Sequence, residues 1–251
     1  MEEYTVAKFG RELVANGHGV NQGLIDGYAA GLVESYGPDK LIVVTSGAVA
    51  AGIARQEAKG IDVSDWCEIT LAQLGSASIM RAWEAAFDKV GVSAGGLLTT
   101  HHEIEDVEEG PSLKRALLLA HDRRVVSLVN ENDALSNTEL MELFTGGDND
   151  GLASHIAVAC GVRALKLFTK KGGIVDEQGN LIERVDSSNY VTTLAMIKER
   201  ELRNQDAGNG RGGMSKKLLA AWTAAQAGIQ AEITKPNYSM TGEFTTQVVI
   251  G

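Results

Sequence analysis

The sequence predicts an α/β fold: a three-layer αβα sandwich around a mostly parallel central sheet. Two observations carry this. From Tyr4 to Thr169, short apolar runs alternate with longer stretches of helical spacing, as in strands joined by helical crossovers. The chain also holds 29 glycines but only 5% aromatic residues, which suits many tight strand-to-helix turns. With three prolines in 251 residues, no Pro-rich linker divides it, so one domain of two lobes spanning 1–251 is expected.

The elements follow in order. Residues 4–9 read as a first strand ending at Lys8-Phe9-Gly10. Residues 22–36 read as a helix stopped by Gly37-Pro38. Residues 41–45 are apolar but for the last, the mark of a buried parallel strand. Ser46-Gly47-Ala48-Val49 follows at once and leads into a short helix through Arg55. Leu74, Ile79, Trp83 and Phe87 recur at helical spacing within 69–90. Then come a strand at 93–98, a helix at 111–121 with Pro111 near its first turn, and a strand at 125–129. A helix is expected at 151–160 and a strand at 165–169. Past Lys170 the pattern turns polar and irregular, with a small hairpin at 174–184 around Asp176–Asn180. A helix at 215–227 and short closing strands complete the reading.

Composition excludes several functions. A net charge of −10, with no basic stripe carrying interleaved aromatics, argues against nucleic acid as a partner. No apolar run reaches membrane-spanning length, and Met-Glu-Glu-Tyr is not a signal peptide, so a cytoplasmic protein is expected. Cys67 and Cys160 lack metal-ligand spacing and read as small buried thiols. His101-His102 has no evident third ligand and reads as an exposed pair, beside an acidic run (103–109) that reads as a solvated face. No protein metal site is expected.

The chemistry concentrates where such sheets bind ligands, just outside the carboxyl ends of the strands. Lys8, Ser46, Asn130-Glu131-Asn132-Asp133 and Thr169 all fall there. Lysine is rarely buried unpaired, so Lys8 near the end of a buried strand stands out from a snorkelling surface lysine. Gly147-Asp148-Asn149-Asp150 precedes a helix; one N-cap explains one of these side chains, not three. Gly208, Gly210 and Gly213 fit G-x-G-x-x-G, but no strand precedes them, so the dinucleotide reading fails. Glycines ahead of a helix near Ser215 offer backbone N–H groups to an anion, with Lys216 or Lys217 adding charge. Ser46 lacks the G-x-S-x-G elbow of a hydrolase. A polar small substrate on one side and phosphate on the other point to phosphoryl transfer.

At these residues the chain resembles the amino acid kinase superfamily, in its glutamate 5-kinase branch. The similar segments are Val6-Ala-Lys8-Phe-Gly10, Val44-Thr-Ser46-Gly-Ala-Val-Ala-Ala-Gly52, Val129-Asn-Glu-Asn-Asp133, Gly147-Asp-Asn-Asp150 and Gly212-Gly-Met-Ser-Lys-Lys217. The resemblance implies an amino acid kinase-like sheet, an N-lobe for the amino acid, a C-lobe for the nucleotide, and no C-terminal PUA domain. It implies transfer of the ATP γ-phosphoryl group to the γ-carboxylate of L-glutamate, the first step of proline synthesis, with Mg²⁺ bridging the ATP phosphates. Lys8 and Lys217 would neutralise the transferring group and Asp150 would hold both. Ser46, Gly47, Asn130, Asp133, Asp148 and Asn149 would form the glutamate pocket. Gly10, Thr169, Lys170, Gly212, Gly213 and Met214 would lie on the nucleotide side. Proline as inhibitor and a homo-oligomer, dimer or tetramer, are further implications. The chain departs from the pattern at Arg11-Glu12, Lys170-Lys171 and Gln73-Leu-Gly75-Ser76. Two rival readings are a non-catalytic homologue that binds glutamate or proline, and a kinase for another small acidic acceptor.

Overall fold

In the computed structural model, residues 2–16, 19–133, 148–206, 213–237, 240 and 242–250 are described. Among them, eight strands form one sheet in the order β5-β6-β4-β1-β7-β9-β10-β8. The strands are β1 (Glu2–Phe9), β4 (Leu41–Thr45), β5 (Ala94–Thr99), β6 (Val126–Glu131), β7 (Val162–Phe168), β8 (Arg184–Val185), β9 (Gln230–Lys235) and β10 (Glu243–Val248). β5, β6, β4, β1, β7 and β9 pair in parallel; only the β9–β10 pairing is antiparallel. A small ribbon, β2 (Ala15–Asn16) with β3 (Gly19–Val20), stands apart.

Alternation along the strands sorts side chains between two helical layers. Ala7, Phe9, Leu41 and Val43 face α2 (Gln22–Tyr36) and α4 (Glu68–Lys89), where they join Ile25, Ile79, Trp83 and Phe87. Phe9 anchors this side, with ring centroids 5.0 Å from Trp83 and 4.8 Å from Phe168. The Trp83 indole spends its N–H on Thr45 Oγ1 at 2.9 Å, so no buried donor is left over. Val6, Ile42, Val44 and Leu165 face the opposite layer. That layer holds α5 (His101–Glu105), α6 (Glu109–Asp122), α7 (Asn149–Cys160), α8 (Tyr190–Asp206) and α9 (Met214–Gln226). α1 (Arg11–Val14) and α3 (Ala48–Glu57) follow directly on the strand ends of β1 and β4.

Local signals explain the boundaries. Asn21 caps α2 by accepting from Leu24 N at 3.2 Å, and Gly37, at φ +77°, ends it before Pro38. Thr100 and Glu103 form a reciprocal capping box on α5. The Asp148 side chain caps α7, and Gly161 closes it in the left-handed region.

Four expectations need correction. Residues 190–206 are a helix, not irregular chain: α8 is dense in charge, and its apolar stripe (Leu194, Ile197) is thin. The hairpin at 174–184 forms but is shorter than expected: Val175 bridges Leu181, Ile182 N donates to Ile174 O at 2.8 Å and Asp176 N to Asn180 O at 2.8 Å. Cys67 is exposed at the N-cap of α4, while Cys160 is buried as expected. His101 is half-buried, because it opens α5 and packs its ring against His155 from α7.

Candidate active site at the carboxyl edge of the sheet

Because β1, β4, β5, β6, β7 and β9 run in parallel, their carboxyl ends share one edge. Lys8 sits beside Val44 and Leu167 in register and shares the face of Val6, so it lies under the helical layer that holds α7 and α9. Asp150 is in the first turn of α7, and Lys217 one turn into α9. Ser154 Oγ donates to Ala220 O at 2.9 Å and ties the two helices together.

The result is a buried triad of two lysines on one carboxylate. Lys8 Nζ lies 2.7 Å from Asp150 Oδ1, and Lys217 Nζ donates to Asp150 Oδ2 at 2.8 Å. Burial alone would raise the Asp150 pKa, but the Lys217 and Lys8 charges and hydrogen bonds outweigh it and hold the carboxyl down at about 2. Its contribution to stability is therefore fully present above its ordinary value of 3.8 and is lost as pH falls towards 2. Burial draws Lys8 below the usual lysine range, Asp150 opposing and Lys217 adding repulsion. For Lys217 burial pulls the same way, but the charge and hydrogen bond of Asp150 prevail and raise it. Two cations against one anion leave a net positive charge in a buried place. Such an arrangement is costly unless an anion completes it.

Next to Asp150 in sequence, and at the ends of β4 and β6, polar side chains gather. Asn130 is 1% exposed, and both its amide atoms lack a partner among the described residues. Asn149 Oδ1 accepts from Glu131 N at 3.1 Å, which fixes the amide and leaves its NH₂ as a donor. Burial, then the charges of Glu131 and Glu68, push the half-buried Asp133 carboxyl up to about 6. Ser46 is half-buried at the turn from β4 into α3, and Gly47 caps that helix with φ +108°. The structure thus brings Ser46, Gly47, Asn130, Asp133, Asp148 and Asn149 to the same edge as the lysine pair.

The nucleotide side differs in detail from the sequence expectation. Gly10 is buried, and the Glu12 carboxylate folds against it: a Cβ on Gly10 would lie 2.5 Å from Glu12 Oε2. Glu12 is also the next negative charge felt by both Lys8 and Lys217. Thr169 is buried, and its hydroxyl accepts from Lys171 N and Gly172 N at 3.1 and 3.2 Å. It shapes a turn that leaves Lys170 exposed. α9 starts at Met214 after Gly213, but its Ser215 N–H already donates to Glu201 Oε1 at 3.0 Å. A glutamate of α8 thus stands where an anion was expected. Gly147, Gly208, Gly210, Arg211 and Gly212 lie outside the described residues.

A model of the amino acid kinase family matches residues 3–235. The chain belongs to the amino acid kinase family. Among curated relatives, it is 31% identical to "Glutamate 5-kinase" of Thermotoga maritima over 199 residues, covering 79% of this chain and 52% of that protein. It is 32% identical to "Glutamate 5-kinase" of Photobacterium profundum over 199 residues, 77% of this chain and 50% of that one. The chain therefore spans about half the length of the curated relatives it matches. In fold it is similar to carbamate kinase from Giardia lamblia bound to AMP-PNP, with a TM-score of 0.64 at 12% identity, covering 100% of this chain and 99% of that one. It is also similar to N-acetylglutamate synthase from Neisseria gonorrhoeae complexed with coenzyme A and N-acetyl-glutamate, with a TM-score of 0.63 at 16% identity over 99% of this chain and 60% of that one. An α/β sandwich on a largely parallel sheet is thus the family's fold here as well.

Sequence reasoning missed Glu131, His101, His155 and Glu201 at this edge. Glu131 was visible inside Asn-Glu-Asn-Asp but carried no role. Glu201 lies in the helix that charge concealed. The two histidines are 54 residues apart in sequence and meet only through the packing of α5 on α7.

Proposed function

We propose that this chain transfers the γ-phosphoryl group of ATP to the γ-carboxylate of L-glutamate, giving glutamyl 5-phosphate, the first step of proline synthesis. One observation carries the reading: a buried lysine pair sharing a single carboxylate, Asp150, at a sheet edge that also gathers unsatisfied amide and carboxyl groups. The net positive charge suits a transferring phosphoryl group, and these polar groups suit a small amino acid. The acceptor carboxylate, with a pKa of about 4.3, is ionised at neutral pH, so no general base is required. Its oxygen attacks the γ-phosphorus as the bond to ADP breaks, and the electron pair leaves on the β-phosphate. Lys8 and Lys217 stabilise the charge spread over the phosphoryl oxygens, and Asp150 holds both ammonium groups in place. Asn149 NH₂, Asn130, Ser46 and the turn at Gly47 bind the glutamate carboxylates, and Asp133 takes its ammonium. Asp148 holds the turn that presents Asn149. Gly10, Thr169, Lys170, Gly213 and Met214 would line the nucleotide. Mg²⁺, bound to the ATP phosphates, would neutralise charge as the phosphoryl group moves.

The test is hydroxylamine trapping with purified protein, ATP, Mg²⁺ and L-glutamate, with acetylglutamate and aspartate alongside. Hydroxamate with glutamate alone is the expected result; hydroxamate only with another acid would reassign the acceptor. Asp133 adds a pH signature. With its carboxyl at about 6, the fraction able to pair with an ammonium falls as pH drops through that value. The KM for glutamate should rise roughly tenfold between pH 7 and pH 5 and be flat over that range in Asp133→Asn. An unchanged profile in Asp133→Asn would remove Asp133 from the ammonium site.

A second reading, binding without turnover, draws on Glu12 against Gly10 and Glu201 on the first turn of α9, two carboxylates at the phosphate side. Glutamate or proline binding by calorimetry, with no hydroxamate from folded protein, would favour it. A cytoplasmic location, inhibition by proline, a homo-oligomer and a two-lobed division of the domain accompany the proposal.

A further inference from the structure

The turn 148–150 supplies both Asn149 and Asp150; Asn149 Oδ1 accepts from Glu131 N and Asp150 pairs with Lys8, while the Asp148 carbonyl at its head is held separately. Asp148 O accepts from Leu152 N at 2.9 Å as the first carbonyl of α7, and Asp148 Oδ1 accepts from Gly151 N at 3.1 Å. A second donor reaches the same carbonyl from outside the helix: His101 Nε2, at 3.1 Å, from the start of α5. A carbonyl oxygen only accepts, so this ring nitrogen carries the proton. On the other side of the ring, His101 Nδ1 lies 3.3 Å from His155 Nδ1 with the two rings perpendicular. His155 Nδ1 also lies 3.1 Å from Glu105 Oε1, so its proton is shared between the carboxylate and His101. Burial holds His155 below its ordinary pKa. Among the described residues, the other charged groups around the pair are Glu131 on β6, Asp148 itself and, beyond Glu131, Lys216 on α9.

We propose that His101, backed by His155, is a positioning residue for the acceptor side: it pins the Asp148 carbonyl and so fixes the angle at which Asn149 presents its amide to the substrate carboxylate. The proposal rests on the glutamate-kinase reading for its kinetic consequence, though not for its structural one. Asp150 is held independently by Lys8 and Lys217. Loosening the turn therefore affects acceptor binding before it affects the phosphoryl lysines.

The experiment uses the full chain at pH 7.5 with His101→Leu, which removes the donor, and His101→Gln, whose amide nitrogen restores one. Amide hydrogen exchange at Gly151 and Leu152 is read by NMR, and KM and kcat by hydroxamate formation. In His101→Leu, exchange at both amides should quicken roughly fivefold, the size of one net hydrogen bond, and the KM for glutamate should rise by a similar factor with kcat changed less than about twofold. His101→Gln should recover most of both. Equal behaviour of the Leu and Gln variants, unchanged exchange in His101→Leu, or a kcat loss matching the KM rise would each overturn the proposal. If His101→Leu does not fold, His155→Phe removes the contact to His101 Nδ1, together with the one to Glu105, and should shift both readouts in the same direction, by less; no shift there overturns it. Absence of hydroxamate from the wild-type protein would count against the proposed function alone, since the exchange readout still decides the positioning role.

Discussion

Replacing Lys217 by methionine is expected to cut phosphoryl transfer by about 10²–10³-fold in kcat while leaving the fold standing. The kinetic half follows from charge: in the proposed reaction the ammonium would face oxygens whose negative charge grows in the transition state, and Lys217 is buried, where such a contact is strong. The structural half follows from the stoichiometry of the triad. Two lysines share Asp150, so removing one leaves a matched buried pair rather than an orphan. The same holds for Lys8→Met. Asp150→Ala is the contrasting case, because it leaves two ammonium groups facing each other with their shared anion gone. Its cost should be about 3–5 kcal/mol, the size seen when one partner of a buried ion pair is deleted. Urea unfolding of the three variants, together with hydroxamate formation, gives the comparison. A Lys217→Met protein with turnover near the wild type would remove that lysine from the chemistry. A Lys→Met variant as unstable as Asp150→Ala would show that the triad is structural cement rather than a site awaiting an anion.

Much of this arrangement was legible in the sequence because the carboxyl edge of a parallel sheet is a place that residue order alone identifies. Apolar runs fixed the strands, so Lys8, Ser46, Asn130–Asp133 and Thr169 could be placed at strand ends before any contact was known. Asp150 could be placed at a helix start from residue order; that it pairs with Lys8 and Lys217 was implied by the family resemblance, not by spacing. Side-chain partners were not legible where they depend on how helices pack over the sheet. The meeting of His101 and His155 requires the packing of α5 against α7, which no spacing encodes. Glu201 reaches the start of α9 from a helix whose apolar stripe is too thin for periodicity to reveal. Thr169 was placed correctly at a strand end, but its hydroxyl serves the following turn.

The helix crossing behind Ser46 gives the second large expected effect. Gly75→Ala should destabilise the protein by about 3 kcal/mol, although alanine favours an isolated helix over glycine by about 0.8–1.0 kcal/mol. The sign is decided by the crossing of α3 and α4. A Cβ on Gly75 would lie 1.9 Å from Ala48 O and 2.4 Å from Gly52 N. From the other helix, a Cβ on Gly52 would lie 1.9 Å from Leu71 O. The obstructing atoms are backbone, so no rotamer change relieves them and the helices must move apart. Separation would also open the contacts of Leu71 and Ile79, both buried. At about 2–4 °C per kcal/mol for a domain of this size, the melting temperature should fall by about 6–12 °C. Ala48 follows directly on Ser46-Gly47, so the same displacement carries that turn with it. The KM for glutamate should therefore rise in whatever fraction of Gly75→Ala folds, while Gly27→Ala, within α2 where an added Cβ meets no atom within 4 Å, should leave KM unchanged. A melting temperature for Gly75→Ala equal to or above the wild type would mean that the two helices yield at little cost, and that their close approach does not hold the Ser46 turn in place.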